Sequence, residues 1–132
     1  MLAYFRNRKL KQLRAQWQNP KTWDREFSSI RILFDLTRPS SDQAVVDDKT
    51  WNDLDMDSVF RKADTTITSI GQQYLYRKLR LPQDSNSRLE DDFKVATTLK
   101  EDRELREALQ LNLKMLKQGD AKLVSKALFE TF

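Results

Sequence analysis

Cysteine and histidine are absent from this 132-residue sequence, and glycine (two) and proline (three) nearly so. Without cysteine or histidine there are no disulfides, no thiolate nucleophiles, no zinc sites of the Cys/His type and no imidazole bases. Scarce glycine argues against sheets joined by tight turns, which need positive φ. The two glycines, Gly71 and Gly119, are not followed by Lys-Ser/Thr, so the chain lacks a phosphate-binding loop. It also lacks an apolar run long enough to span a bilayer; Ile32-Leu33-Phe34 is a typical uncharged stretch. At the start, Met1-Leu2-Ala3-Tyr4-Phe5 precedes Arg6, the reverse of a secretory signal. These absences lead us to expect a soluble, cytoplasmic, noncatalytic chain with no metal or cofactor of its own.

What is present is charge. Aspartate, glutamate, lysine and arginine make up 33% of the residues, with a formal net charge of +4 distributed in blocks. Residues 1–21 carry six basic side chains (Arg6, Arg8, Lys9, Lys11, Arg14, Lys21) and no acid. Residues 47–57 carry five aspartates against Lys49. Residues 58–82 return to five basic side chains and one acid, Asp64. A basic first segment is suited to phosphate backbones or an anionic surface, although six charges over five turns also describe a solvated helix. Arg6, Arg8, Lys9, Lys11 and Arg14 are therefore candidate phosphate or partner contacts. So are Arg77, Lys78 and Arg80, which follow Tyr76, an aromatic set off the main apolar stripe.

Apolar spacing predicts an all-α protein, a bundle of about seven helices with short connections. Leu2, Phe5, Leu10, Leu13 and Trp17 form the first stripe, stopped by Asn19-Pro20. Trp23, Phe27, Ile30, Leu33 and Phe34 form the second, ended by Arg38-Pro39. That break suggests a boundary between a basic extension (1–42) and a main helical unit (43–132). Trp51 is an anchor in an acidic approach to a short helix burying Met56, Val59 and Phe60. Thr68 or Ser69 caps the next helix, with Ile70, Tyr74 or Leu75, and Leu79 inward and Pro82 at its end. Ser87-Arg88-Leu89-Glu90 reads as a capping box for a stripe of Leu89, Phe93, Ala96 and Leu99. Asp102 caps a helix presenting Leu105, Leu109, Leu113 and Leu116. Gly119 and Asp120 then separate it from a last helix with Val124, Ala127 and Leu128 inward.

Two acidic motifs are set aside. Asp53-Leu54-Asp55-Met56-Asp57 opens like a calcium loop, but Ser58 stands where the glycine belongs and Asp64 where the bidentate glutamate belongs. Asp55-Met56-Asp57-Ser58-Val59 matches the string of aspartyl-phosphate phosphatases, but Thr50-Trp51-Asn52 before it is no buried strand.

The run Asp64-Thr65-Thr66-Ile67-Thr68-Ser69-Ile70-Gly71, followed by Leu75, Leu79 and Pro82, resembles the start of the helical core (lever) domain of MutS-family mismatch-repair ATPases. In that family a Thr-x-Thr-x-x-Gly turn leads a helix that ends near a proline. The segments Leu89–Leu99 and Asp102–Leu109 look like the helices that follow, and Asp47–Asp57 is similar to the approach in divergent bacterial MutS-like proteins. The resemblance covers about residues 47–132. It implies that Thr66, Thr68, Gly71, Leu75, Leu79 and Pro82 are structural motif residues. The family's Phe-x-Glu mismatch wedge and nucleotide-binding loop are not found in these residues. The implied role is thus a noncatalytic, partial lever segment that couples ATP-driven motion to DNA binding. ATP, magnesium, DNA, the other domains of the same ATPase and a dimer belong to the parent. The alternative is a free-standing helical adaptor that docks a partner protein or an anionic membrane through its basic first helix.

Overall fold

The computed structural model describes residues 1–40, 44–82, 86–116 and 121–129, and every regular element among them is helical. The elements are α1 (Leu2–Gln16), α2 (Phe27–Ile30), α3 (Ile32–Leu36), α4 (Asp48–Asp53), α5 (Met56–Ala63), α6 (Ser69–Arg80), α7 (Asn86–Glu101), α8 (Arg103–Met115) and α9 (Ala121–Phe129). Two differences from the seven-helix expectation have local causes. The second predicted helix begins only at Phe27 and is divided at Arg31. The acidic approach forms a helix of its own, because the Asp47 side chain accepts from the Thr50 N–H at 2.7 Å and caps it. Gly119 and Asp120, expected to stop one helix and start another, lie outside the described residues.

The chain forms two compact units, Met1–Trp17 with Gln83–Leu116, and Gln18–Pro82 with Lys117–Phe132. None of the three division points falls at the Arg38-Pro39 break. Residues from Lys21 to Phe34 belong to the second unit because their side chains build its interior.

In the first unit α8 lies against both α1 and α7. The connection from α7 to α8 is one residue, Asp102, whose carboxylate accepts from the Leu105 N–H at 2.9 Å. Arg106 reaches back to the Leu99 and Lys100 carbonyls at 2.9 and 3.1 Å, satisfying acceptors that the end of α7 leaves open. Only Leu13 of the expected apolar stripes here is buried. Leu2, Phe5, Leu89, Phe93, Leu105, Leu109, Leu113 and Leu116 are exposed.

The second unit holds the aromatic core. Ile30, Phe34, Trp51, Phe60, Tyr76 and Leu81 are buried together, with Phe27, Val45, Val46, Met56, Leu75 and Leu79 packed around them. Tyr76 is its centre, with ring centroids 4.7 Å from Trp51, 5.9 Å from Phe60, 6.2 Å from Phe34 and 6.4 Å from Phe27. The expected inward face of α6 holds at Leu75 and Leu79, which pack on this core, and is corrected elsewhere. Tyr74 and Ile70 point outward, and Gln73, Tyr76 and Arg80 point inward at spacings of three and four. Gln73 is tolerated inside because Ser125 of α9, itself buried, donates to its Oε1 at 2.5 Å. Accordingly Val124, Ala127 and Leu128 are exposed rather than inward. Trp23 and Val59, expected inside, are also exposed.

The start of α6 shows why its sequence reads as it does. The Thr68 hydroxyl accepts from the Gly71 N–H at 3.0 Å, an N-cap bond. A Cβ at position 71 would stand 3.0 Å from that same oxygen, so glycine leaves the cap uncrowded. Pro82 confines Leu81 to extended backbone (φ −115°, ψ 94°) and ends the helix. Thr68→Ala is expected to cost about 1 kcal/mol in urea unfolding, and Thr68→Ser almost nothing. Equal losses in the two variants would show that the methyl group, not the hydrogen bond, matters.

Candidate functional site

Asp64 and Thr66, both in the run that carried the family resemblance, meet Lys21, Arg25 and Gln72 around one buried carboxylate. Asp64 follows α5 and is fully buried. Its Oδ1 accepts from Lys21 Nζ (2.9 Å), Thr66 Oγ1 (2.7 Å) and the Thr66 N–H (3.2 Å). Its Oδ2 accepts from Arg25 Nε (2.7 Å) and Gln72 Nε2 (2.6 Å). Lys21 also donates to Thr66 Oγ1 at 3.1 Å, closing the network. Burial pushes the Asp64 carboxyl up, but the hydrogen bonds from Thr66, Gln72, Lys21 and Arg25 outweigh it and bring the pKa down to about 2.

The network gives the irregular segment before α2 its course. Lys21 and Arg25 both flank the Trp23 ring, 5.7 and 5.8 Å from its centroid, and Arg25 also donates to the Trp23 carbonyl. Two cations drawn to the same place would repel one another; each is instead directed at a different oxygen of Asp64. A carboxylate surrounded by five such bonds is held ionised and fixed in place. What this geometry supplies is mechanical, a junction tying residues 21–25, the end of α5 and the first turn of α6.

The other end of α6 is fixed by a cation. Arg80 is almost wholly buried, with its guanidinium carbon 4.3 Å from the Trp51 centroid, 5.2 Å from Tyr76 and 5.3 Å from Phe34. It donates to the Tyr76 hydroxyl (Nε 3.0 Å, Nη2 2.6 Å), to the Val46 carbonyl (2.8 Å) and to Asp48 (2.8 Å). The Val46 N–H returns a bond to the Arg80 carbonyl at 2.8 Å. Arg80 is therefore not a surface contact for phosphate. It is the polar centre of the aromatic core.

The remaining predicted basic contacts are dispersed. Arg6, Arg8 and Lys11 are exposed on α1, and Lys9 is half-buried. Arg14 is committed to Glu107, with Nε and Nη2 at 2.7 and 2.9 Å from its two oxygens. Arg77 donates to Thr37 Oγ1 at 2.7 Å, and Lys78 is half-buried on the same helix. The motif residues Thr66, Thr68 and Gly71 gather at the start of α6. Leu75 and Leu79 pack on the core, while Pro82 is exposed.

The aspartates of the acidic block do not converge. Asp57 accepts from Trp51 Nε1 at 2.8 Å, Asp53 faces Lys49 at 3.9 Å, and Asp55 takes a left-handed backbone (φ 47°) that aspartate tolerates. Among the described residues no group of three carboxylates is placed to hold a metal ion, and no helix is long and apolar enough to cross a membrane.

Lys21, Arg25, Gln72 and Asp48 were not singled out by sequence reasoning. The available signal was Asp64 itself, alone among five basic residues between positions 58 and 82. No family model, curated protein or solved structure matches this chain.

Proposed function

We propose that this chain is a noncatalytic helical core (lever) segment of a MutS-like DNA mismatch-repair ATPase, passing motion between the ATP-binding and DNA-binding parts of its parent. The observation that carries this reading is the anchoring of α6 at both ends. Its first turn is tied to the Asp64 junction through Gln72 and to its own Thr68 cap, and its last turn is locked by Arg80. A helix restrained at both ends moves with its surroundings as one body, as a lever requires. ATP and magnesium belong to the parent, and the site residues here position helices rather than react. DNA contact by this segment would come through exposed cations such as Arg6, Arg8 and Lys11 and is correspondingly weak.

The test is a titration of the 132-residue chain with matched and mismatched duplex DNA at about 50 and about 200 mM salt. Weak binding that collapses at the higher salt, with no preference for a mismatch, is expected. Tight, salt-resistant, mismatch-selective binding overturns the reading. A second reading, an adaptor docking a partner protein or an anionic membrane, is favoured by Met1, Leu2, Tyr4 and Phe5, all exposed ahead of the cations of α1. The reading frame after Phe132 separates the two. A Gly-x-x-x-x-Gly-Lys-Ser/Thr sequence downstream supports the lever, and a stop codon the adaptor.

A further inference from the structure

Three guanidinium groups and one carboxylate line a cleft in the first unit that the lever reading leaves unused. Arg14 and Trp17 come from α1 and its end, and Arg103, Arg106, Glu107 and Gln110 from α8, around a space of about 280 Å³. Glu107 accepts from Arg14 on both oxygens and from Arg103 Nε at 2.9 Å. The Arg106 guanidinium carbon stands over the Trp17 ring, 4.1 Å from its centroid. The lining thus carries three positive charges against one negative, an excess that an anion would balance.

Two of these groups stay open to solvent although both are bonded to Glu107, while Arg106 is held by the Leu99 and Lys100 carbonyls. The Arg14 and Arg103 side chains remain 51% and 58% exposed while bonded to Glu107, which fixes each guanidinium without covering it. Oriented guanidinium forks match the oxygens of phosphate better than any other side chain does. A space of this size takes a phosphate and a small organic group and is too small for a dinucleotide. Trp17 forms an aromatic wall and Gln110 an amide beside it.

We propose that this cleft binds a phosphate monoester, with Arg14 and Arg103 holding the phosphate oxygens, Arg106 adding charge, and Glu107 orienting the guanidinium groups. The site lies wholly within residues 1–17 and 83–116 and does not depend on the lever reading.

The chain, labelled with nitrogen-15, is titrated with AMP, ribose 5-phosphate, inorganic phosphate and adenosine. The readout is the indole N–H signal of Trp17, resolved from those of Trp23 and Trp51. The three phosphate compounds are expected to shift the Trp17 signal alone, with an affinity that falls as salt rises, and adenosine is expected to leave it unmoved. Arg103→Gln should weaken AMP at least tenfold with helicity unchanged, because the pair it removes is exposed. An oligonucleotide without a terminal phosphate tests whether the source is a backbone diester; it should fail to displace AMP. Adenosine binding as well as AMP, the oligonucleotide competing equally, or unchanged affinity in the Arg103→Gln variant would each overturn the proposal.

Discussion

Asp64→Ala is expected to lower the unfolding free energy by about 3–5 kcal/mol. The cost is not the worth of one ion pair. Removing the carboxylate leaves Arg25 and Lys21 as neighbouring cations, their side chains only 2% and 15% exposed, with no anion between them. It also deprives Thr66 and Gln72 of their common acceptor. Arg25 Nη2 already has no hydrogen-bond partner, so the guanidinium has little with which to replace the lost bond. Asp64→Asn keeps the shape and loses the charge, and about 2–3 kcal/mol is expected. Asp53→Ala, at an exposed carboxylate, should change stability by less than about 0.5 kcal/mol. Urea unfolding followed by circular dichroism measures all three, and an unchanged midpoint for Asp64→Ala would show that the junction holds nothing.

The same carboxylate carries a pH signature. Its folded pKa of about 2 lies below the ordinary 3.8, so its contribution is fully present above the unfolded value. As pH falls through the folded value that contribution, about 2 kcal/mol, is lost. The wild type and Asp64→Asn should therefore differ most near neutrality and converge as pH approaches 2. Glu107 is also held at about 2, by hydrogen bonds from Arg14 and Arg103, so the first unit loosens over the same acid range. Because Glu107 belongs to the other unit, Asp64→Asn removes one acid response and leaves the other in place.

Much of the helical architecture could be read from the chain because its signals are local. Thr68 and Asp102 are caps in the structure as their positions suggest, and Pro82 closes α6, since each acts within three or four residues of itself. What could not be read is which polar side chains go inside. Periodicity assigns charged residues to the surface, so Tyr76 reads as off the main stripe and Arg80 as outward; the structure buries both. This burial depends on partners far along the chain. Arg80 is accepted in the core only because Val46 and Asp48 supply oxygens there, more than thirty positions away. Asp64 similarly depends on Lys21 and Arg25, 43 and 39 positions earlier. A buried charge has no local sequence rule; it is permitted wherever folding brings the complementary groups together.

Arg80→Ala is the second large expected effect, again about 3–5 kcal/mol. It differs from Asp64→Ala in what is lost. At Asp64 the loss is electrostatic, whereas at Arg80 it is mostly packing. The guanidinium fills the space between Trp51, Tyr76 and Phe34, and its removal leaves a cavity bordered by the Tyr76 hydroxyl and the Val46 carbonyl, both without their donor. Lysine is not a conservative replacement here. Arg80→Lys keeps the charge but loses the guanidinium contact with the Trp51 ring and the fork that reaches Tyr76 and Val46 together, and about 2–3 kcal/mol is expected. Asp48→Asn should cost under about 1 kcal/mol, since Asp48 is 65% exposed and is only one of several acceptors. Because Trp51 lies directly against Arg80, loss of near-ultraviolet dichroism and a change in tryptophan emission should accompany the loss of stability in both Arg80 variants. The contrast with a surface role is sharp. An Arg80 that contacted DNA would, when changed to alanine, weaken binding and its salt dependence while leaving the unfolding curve in place. That result would refute the aromatic lock at the end of α6, and with it the double anchoring on which the lever reading depends.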